Sequence, residues 1–137
     1  MKVILCGSIS VADEIRAVRD SLLGLGHEVE IPTDVKTERF VGRKNATTEE
    51  IIEHQIRHDA IRDHYEKMKL CDTVLIVNAE KKGIKGYVGV NTFLEMAFAH
   101  VLKKKLFCLN ALPDMFYTPE MIALQPVILN GDLTRLK

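Results

Sequence analysis

Apolar and polar positions along the chain alternate between two periodicities, one of strands and one of helices. Lys2-Val-Ile-Leu-Cys-Gly7 is an apolar run closed by glycine, the pattern of a central strand covered on both faces. Ser10 then precedes Val11-Ala12-Asp13, and Ile15, Val18, Leu22 and Leu25 recur at helical spacing until Gly24 and Gly26. The serine reads as an N-cap with an acid three residues on. Glu28 to Ile31 predicts a short second strand ended by Pro32, and the polar stretch to Ala46, carrying Gly42 and Asn45, predicts a loop. Thr47 and Glu50 have capping-box spacing and open one long helix. Its Ile52, Ile56 and Ala60, then Ile61, Tyr65 and Met68, are apolar at spacings near four, as far as about Leu70. Asp72-Thr-Val-Leu-Ile-Val-Asn78 is a β-branched strand between two polar ends. A glycine-punctuated loop, 79–90, leads to an apolar helix from about Asn91 to Lys104 and then to a strand, Leu106 to Leu109. Thr118 to Leu124 predicts a short helix with Pro119 at its first position, and Val127 to Leu129 a fifth strand.

Strands alternating with helices through short connections imply right-handed crossovers and a parallel sheet with helices on both faces. The expected fold is a three-layer α/β domain with a five-stranded parallel sheet in order 2-1-3-4-5, flavodoxin-like or Rossmann-like. Ligands of such sheets sit beyond the carboxyl ends of the strands where strand order reverses, here between strands one and three. That rule gathers 7–10, the loop after Asn78 and the turn after Leu109 around one crevice.

Composition narrows the function classes. Nineteen Lys plus Arg balance nineteen Asp plus Glu, so no global field draws the chain to nucleic acid or anionic lipid. The Lys103–Lys105 run follows an apolar helical pattern and reads as a cationic helix end. Cys6, Cys71 and Cys108 are odd in number, widely spaced and set in or beside apolar runs, which suits buried thiols in a reducing, cytoplasmic setting.

The chemistry concentrates in one helix and two loops. From Val88 to Leu102 the only formal charge is Glu95, among Val90, Phe93, Leu94, Met96, Ala97 and Phe98. A carboxylate there is costly unless it meets a partner, a helix start or a polar cleft. Thr92 and Glu95 also have capping-box spacing, a purely structural alternative. The preceding Gly83-Ile-Lys-Gly-Tyr-Val-Gly89 permits unusual backbone angles or close approach to a ligand. The turn Gly7-Ser8-Ile9-Ser10 offers amides and hydroxyls to a phosphate or sugar oxygen, without the lysine of a P-loop or the spacing of a dinucleotide fingerprint. His54 and His58 lie four apart, as metal ligands can. Gln55 replaces the glutamate of the HExxH pattern, so the pair reads as a solvated polar face and no metal or other cofactor is expected.

These segments together resemble the nucleoside 2-deoxyribosyltransferase superfamily: the Val3-Ile-Leu-Cys-Gly-Ser-Ile9 start, the Asp72–Asn78 strand, and Asn91-Thr-Phe-Leu-Glu95-Met-Ala-Phe-Ala99 followed by lysines. The Gly-Ser-Ile turn is most similar to the 2'-deoxynucleoside 5'-phosphate N-hydrolase branch, and Thr-x-x-Glu is also similar to the end of the cytokinin-activating phosphoribohydrolase motif. The resemblance covers most of the chain and implies a single such domain over 1–137. It makes Glu95 the nucleophile that attacks the anomeric carbon as the base leaves, forming a glycosyl-enzyme that water or another base resolves. It implies that Gly7, Ser8 and Ile9 line the sugar or 5'-phosphate site, with Asn78, Asn91 and Thr92 as further substrate-binding residues. Tyr87 stacks on the base or packs in its loop, and His64 or Asp63 donates a proton to the base or orients the sugar. Three positions depart from the family: Gly89 stands where the transferases carry a base-contacting aspartate, Asn91 where the family has glycine, and His64 where the family has a helical aspartate, with Asp63 adjacent. The implied partner is a small nucleoside or nucleotide, with no nucleic acid polymer and no membrane, in a homodimer or higher homo-oligomer. Gly89 favours the alternative, a non-catalytic nucleotide-binding module or sensor.

Overall fold

The computed structural model describes residues 1–37 and 46–137; the loop expected around Gly42 and Asn45 lies outside them. Five strands, β1 (Lys2–Cys6), β2 (Glu28–Glu30), β3 (Thr73–Ile76), β4 (Lys105–Cys108) and β5 (Val127–Ile128), form one sheet in order β2-β1-β3-β4-β5, every neighbouring pair parallel. This is the three-layer α/β architecture the periodicity predicts.

Alternation along the central strands divides the core in two. Val3, Leu5, Leu75, Val77 and Phe107 face α1 (Ala12–Gly24) and bury Ile15, Val18 and Leu22. Ile4, Cys6, Val74, Ile76, Leu106 and Cys108 point the other way, against Met68, Met96, Ala99 and Met121. Each buried aliphatic side chain contributes about 1.5–3 kcal/mol, so β1 and β3, buried on both faces, anchor the crevice between them. A short α2 (Thr33–Lys36), α5 (Val90–Val101) and α6 (Thr118–Ala123) complete the layers together with the two helices below.

The long helix expected from Thr47 to Leu70 is two helices. The capping box forms as expected, Thr47 Oγ1 accepting from the Glu50 amide and Glu50 from the Thr47 amide. The run breaks at Asp59, which adopts the left-handed conformation (φ 46°, ψ 48°) between α3 (Thr48–His58) and α4 (Ala60–Lys69). The apolar stripe shifts phase there, Ile52, Ile56 and Ala60 keeping a four-residue step and the next set restarting one residue later at Ile61. Ile52 and Ile56 accordingly face outward, and α3 turns Ile51, His54 and Gln55 inward over a cavity.

The first turn also corrects an expectation. Ser8, not Ser10, is the cap: its hydroxyl accepts from the Ser10 amide and starts a 3-10 turn, Ile9–Val11, that runs into α1. The lysine run does sit at helix ends. The Lys104 amide bonds the Ala99 carbonyl and the Lys103 amide that of His100, a Schellman closure of α5 with Lys103 at φ 57°. The Lys104 ammonium donates to the last carbonyl of α4, that of Lys69.

Candidate active site

Beyond the carboxyl ends of β1 and β3 lies a cavity of about 310 Å³, within the size range of small-molecule sites. Its floor is the start of α5. That helix begins at Val90 with Gly89 as a cap lacking a side-chain bond, so Thr92 and Glu95 form no capping box. Thr92 is instead buried in the first turn, and Glu95, one turn in, aims its carboxyl at the cavity with 15% of its side chain exposed.

What meets Glu95 explains how the carboxyl is tolerated. His64, projected from α4 and 6% exposed, brings Nε2 to 3.1 Å from Glu95 Oε2. The same nitrogen lies 3.2 Å from Sγ of Cys6, the last residue of β1, and the thiol also bonds Glu95. Burial pushes the Glu95 carboxyl up to about 8, opposed by the Cys6 bond. Burial, reinforced by the charge of Lys67 and opposed by Asp63, pulls His64 down to about 4. The two groups therefore carry a single proton between them at neutral pH, a hydrogen bond rather than a fixed ion pair. Burial also raises Cys6 well above its ordinary range, with the Glu95 charge adding to it, so Cys6 stays a thiol.

Above this floor the walls come from four segments. Gly7 follows β1 where a Cβ would lie 3.1 Å from the Val77 carbonyl and 3.3 Å from Ile15, so a side chain there would need its neighbours to give by a few tenths of an ångström. Ser8 and Ile9 follow it into the wall. The Lys81 ammonium donates to Ser8 Oγ at 3.1 Å and sits 5.2 Å from the Tyr87 ring centroid. Tyr87, Gly89 and Asn91 line the side next to α5. On the far side Asp34 of α2 and His54 of α3 pair at 2.9 Å, their side chains 12% and 13% exposed. Asp63 lies on the rim, accepting from Thr33 Oγ1 at 2.6 Å with Lys67 at 3.9 Å.

The structure thus gathers Gly7, Ser8, Ile9, Asp63, His64, Tyr87, Gly89, Asn91, Thr92 and Glu95 around one space. Asn78 is the exception and corrects the expectation of a ligand contact. It is fully buried: its Nδ2 donates to the Asn110 and Ala111 carbonyls and its Oδ1 accepts from the Asn110 amide. Those bonds clamp the loop after β3 to the turn after β4. Gly86, which that clamp adjoins, has φ 69°, and a Cβ there would lie 2.2 Å from the Ala111 carbonyl. Its glycine is required by packing. Gly89, at φ −78° and ψ 175°, is under no such constraint; a Cβ there would only touch the Tyr87 ring at 3.4 Å.

Three features escape the sequence. Lys81 is one of several lysines in a polar loop, and only the fold shows it reaching Ser8. Asp34 and His54 belong to a stretch read as loop and to a helix face read as solvated. Cys6 reads as core, which it is, but its sulfur also borders the Glu95–His64 pair.

With this geometry established, the fold proves similar to that of the CMP N-glycosidase BcmB of Clostridium botulinum, with a TM-score of 0.52 and 15% identity over 95% of this chain and 90% of that one. No protein-family model and no curated protein sequence matches the chain. The likeness establishes a shared architecture. No helix among the described residues is long and apolar enough to cross a membrane.

Proposed function

We propose that this protein cleaves or transfers the N-glycosidic bond of a nucleoside or nucleoside 5'-monophosphate, with Glu95 as nucleophile. The observation that carries the reading is the placement of the Glu95 carboxyl: out of any helix cap, at the floor of a cavity, and held by His64 and Cys6 rather than by main-chain amides. A solved protein of the same architecture is a CMP N-glycosidase, which supports nucleotides as the substrate class.

In this reading the sugar lies over Glu95 with its anomeric carbon facing the carboxylate. Glu95 attacks as the base leaves through an oxocarbenium-like transition state, and water or a second base opens the glycosyl-enzyme. His64 is a positioning residue, fixing the carboxyl oxygen, and the proton the pair shares leaves to solvent before Glu95 attacks. Asp63, on the rim, is the acid candidate nearer open space. Ser8, the Gly7 turn and Lys81 form the polar end of the cavity, suited to a sugar oxygen or a 5'-phosphate. Tyr87 offers its ring to the base, and Asn91 and Thr92 offer hydrogen bonds.

The test is release of free base from a panel of ribo- and deoxyribonucleosides and their 5'-monophosphates, followed by chromatography. Release from at least one member supports the reading. A second reading is favoured by Gly89, which leaves bare the wall position where the transferases place a base-contacting aspartate: the cavity binds a nucleotide without cleaving it. Tight binding by calorimetry with no base released across the panel selects that reading.

A further inference from the structure

Among the described residues, Cys6, His64 and Glu95 form the group of thiol, imidazole and carboxyl ligand atoms close enough to hold one metal ion, all within 4.8 Å of one another. The chemistry proposed for Glu95 does not require the Cys6 sulfur, and nothing in that role needs a thiol in particular. Sulfur, nitrogen and oxygen donors of this kind suit a zinc-like cation and not magnesium or calcium, which take oxygen ligands.

The geometry is nearly that of a coordination shell. Tetrahedral Zn²⁺, with bonds of about 2.3 Å to sulfur and about 2.0 Å to nitrogen and oxygen, sets its donors roughly 3.3–3.6 Å apart. Here Sγ to Nε2 is 3.2 Å and Nε2 to Oε2 is 3.1 Å, so a cation would spread each of these two pairs by only a few tenths of an ångström, with the sulfur and the carboxyl oxygen within 4.8 Å of each other. Each donor is carried on a different rigid element, β1, α4 and α5. A metal at Nε2 would take the place of the contacts that nitrogen now makes with Glu95 and Cys6, and both of those partners become ligands of the same ion. His64 and Glu95 both face the cavity, which supplies an entry path and room for a fourth ligand.

We propose that Cys6 Sγ, His64 Nε2 and a Glu95 oxygen form a three-ligand site for Zn²⁺, its fourth position open to the cavity. On binding, the thiol gives up one proton and the Glu95–His64 pair another, both to solvent. One divalent cation replaces two protons, and the buried site stays neutral. A Glu95 carboxylate bound to Zn²⁺ through one oxygen has its negative charge drawn to the cation and is a weaker nucleophile toward an anomeric carbon, so metal occupancy slows the site; this consequence rests on the nucleophile reading above, whereas the metal site does not.

Co²⁺ added to the reduced, metal-free protein is the probe, read by absorption without substrate. One bound Co²⁺ with a thiolate-to-cobalt charge-transfer band and the intense visible bands of tetrahedral cobalt is the expected result. That charge-transfer band should be lost in Cys6→Ser and kept in Cys71→Ser and Cys108→Ser. Should Cys6→Ser fail to fold, Glu95→Gln serves instead, expected to keep the charge-transfer band but bind Co²⁺ more weakly. Absence of the band at excess Co²⁺, its survival in Cys6→Ser, or unchanged affinity in Glu95→Gln overturns the proposal. The full signature with Co²⁺, in a protein whose metal-free form releases no base, would count against the nucleophile alone.

Discussion

At the scale of the residue, the proton shared by Glu95 and His64 ties chemistry to stability. The folded carboxyl keeps its proton to about pH 8 against an ordinary 4.5. Between those values the folded chain binds more protons than the unfolded one, so Glu95 makes stability fall as pH rises. His64 acts oppositely, about 4 folded against 6.5, so it makes stability rise from pH 4 to 6.5. The two slopes oppose each other below pH 6.5, and only the fall remains above it. Glu95→Gln removes that fall, and its melting temperature should gain on wild type between pH 6 and pH 8.5, by roughly 3 °C for each kcal/mol recovered. Thermal melts across pH check this, and an unchanged gap would show that the carboxyl is not held protonated. The same titration gives base release an upward limb near pH 8, because attack needs the carboxylate.

At the scale of the element, helix ends and loops carry the strain. Lys103 occupies, at φ 57°, the position where glycine ordinarily closes a helix, far from the cavity. Lys103→Gly should therefore stabilise by about 0.5–1 kcal/mol, seen as a shift of the urea midpoint, without altering ligand binding. Gly86→Ala should destabilise by about 3 kcal/mol or more, since the added methyl meets a carbonyl at 2.2 Å and the backbone is left-handed. A wild-type midpoint in Gly86→Ala would contradict the clamp described around Asn78. These loops also show what was legible in the sequence. The strands, their order and the Thr47 capping box follow from local pattern. The break at Asp59 left only a one-residue shift of the apolar stripe from Ala60 to Ile61, and an aspartate rather than glycine in the left-handed position hid it. Asn78 looked like a ligand because it is polar at a strand end above the crevice. The three bonds by which its side chain acts as a clamp depend on the turn after β4, which no spacing within the sequence reveals.

At the scale of the whole molecule, the site residues are spread over both halves of the chain, and the sheet assembles them. Glu95 was conspicuous as a lone charge in an apolar helix. Lys81, Asp34 and His54 were not, because each is an ordinary polar residue until the fold turns it inward. One surface feature is left over: Phe116 is 93% exposed, edge-on to the buried Tyr117 whose hydroxyl donates to the Val88 carbonyl of the loop before α5. If a second copy covers this ring, the protein elutes as a dimer or larger, and Phe116→Asp shifts it toward monomer. Wild type eluting as a monomer at all concentrations would remove the oligomer from the account.

The central claim is that Glu95 forms a bond to the sugar. It is tested most directly by single-turnover base release from whichever nucleotide the panel identifies, comparing wild type with Glu95→Gln, which preserves side-chain volume and the fold. The account predicts a fall of about a thousandfold or more in the variant with binding of the nucleotide retained. Release at the wild-type rate by Glu95→Gln would contradict it.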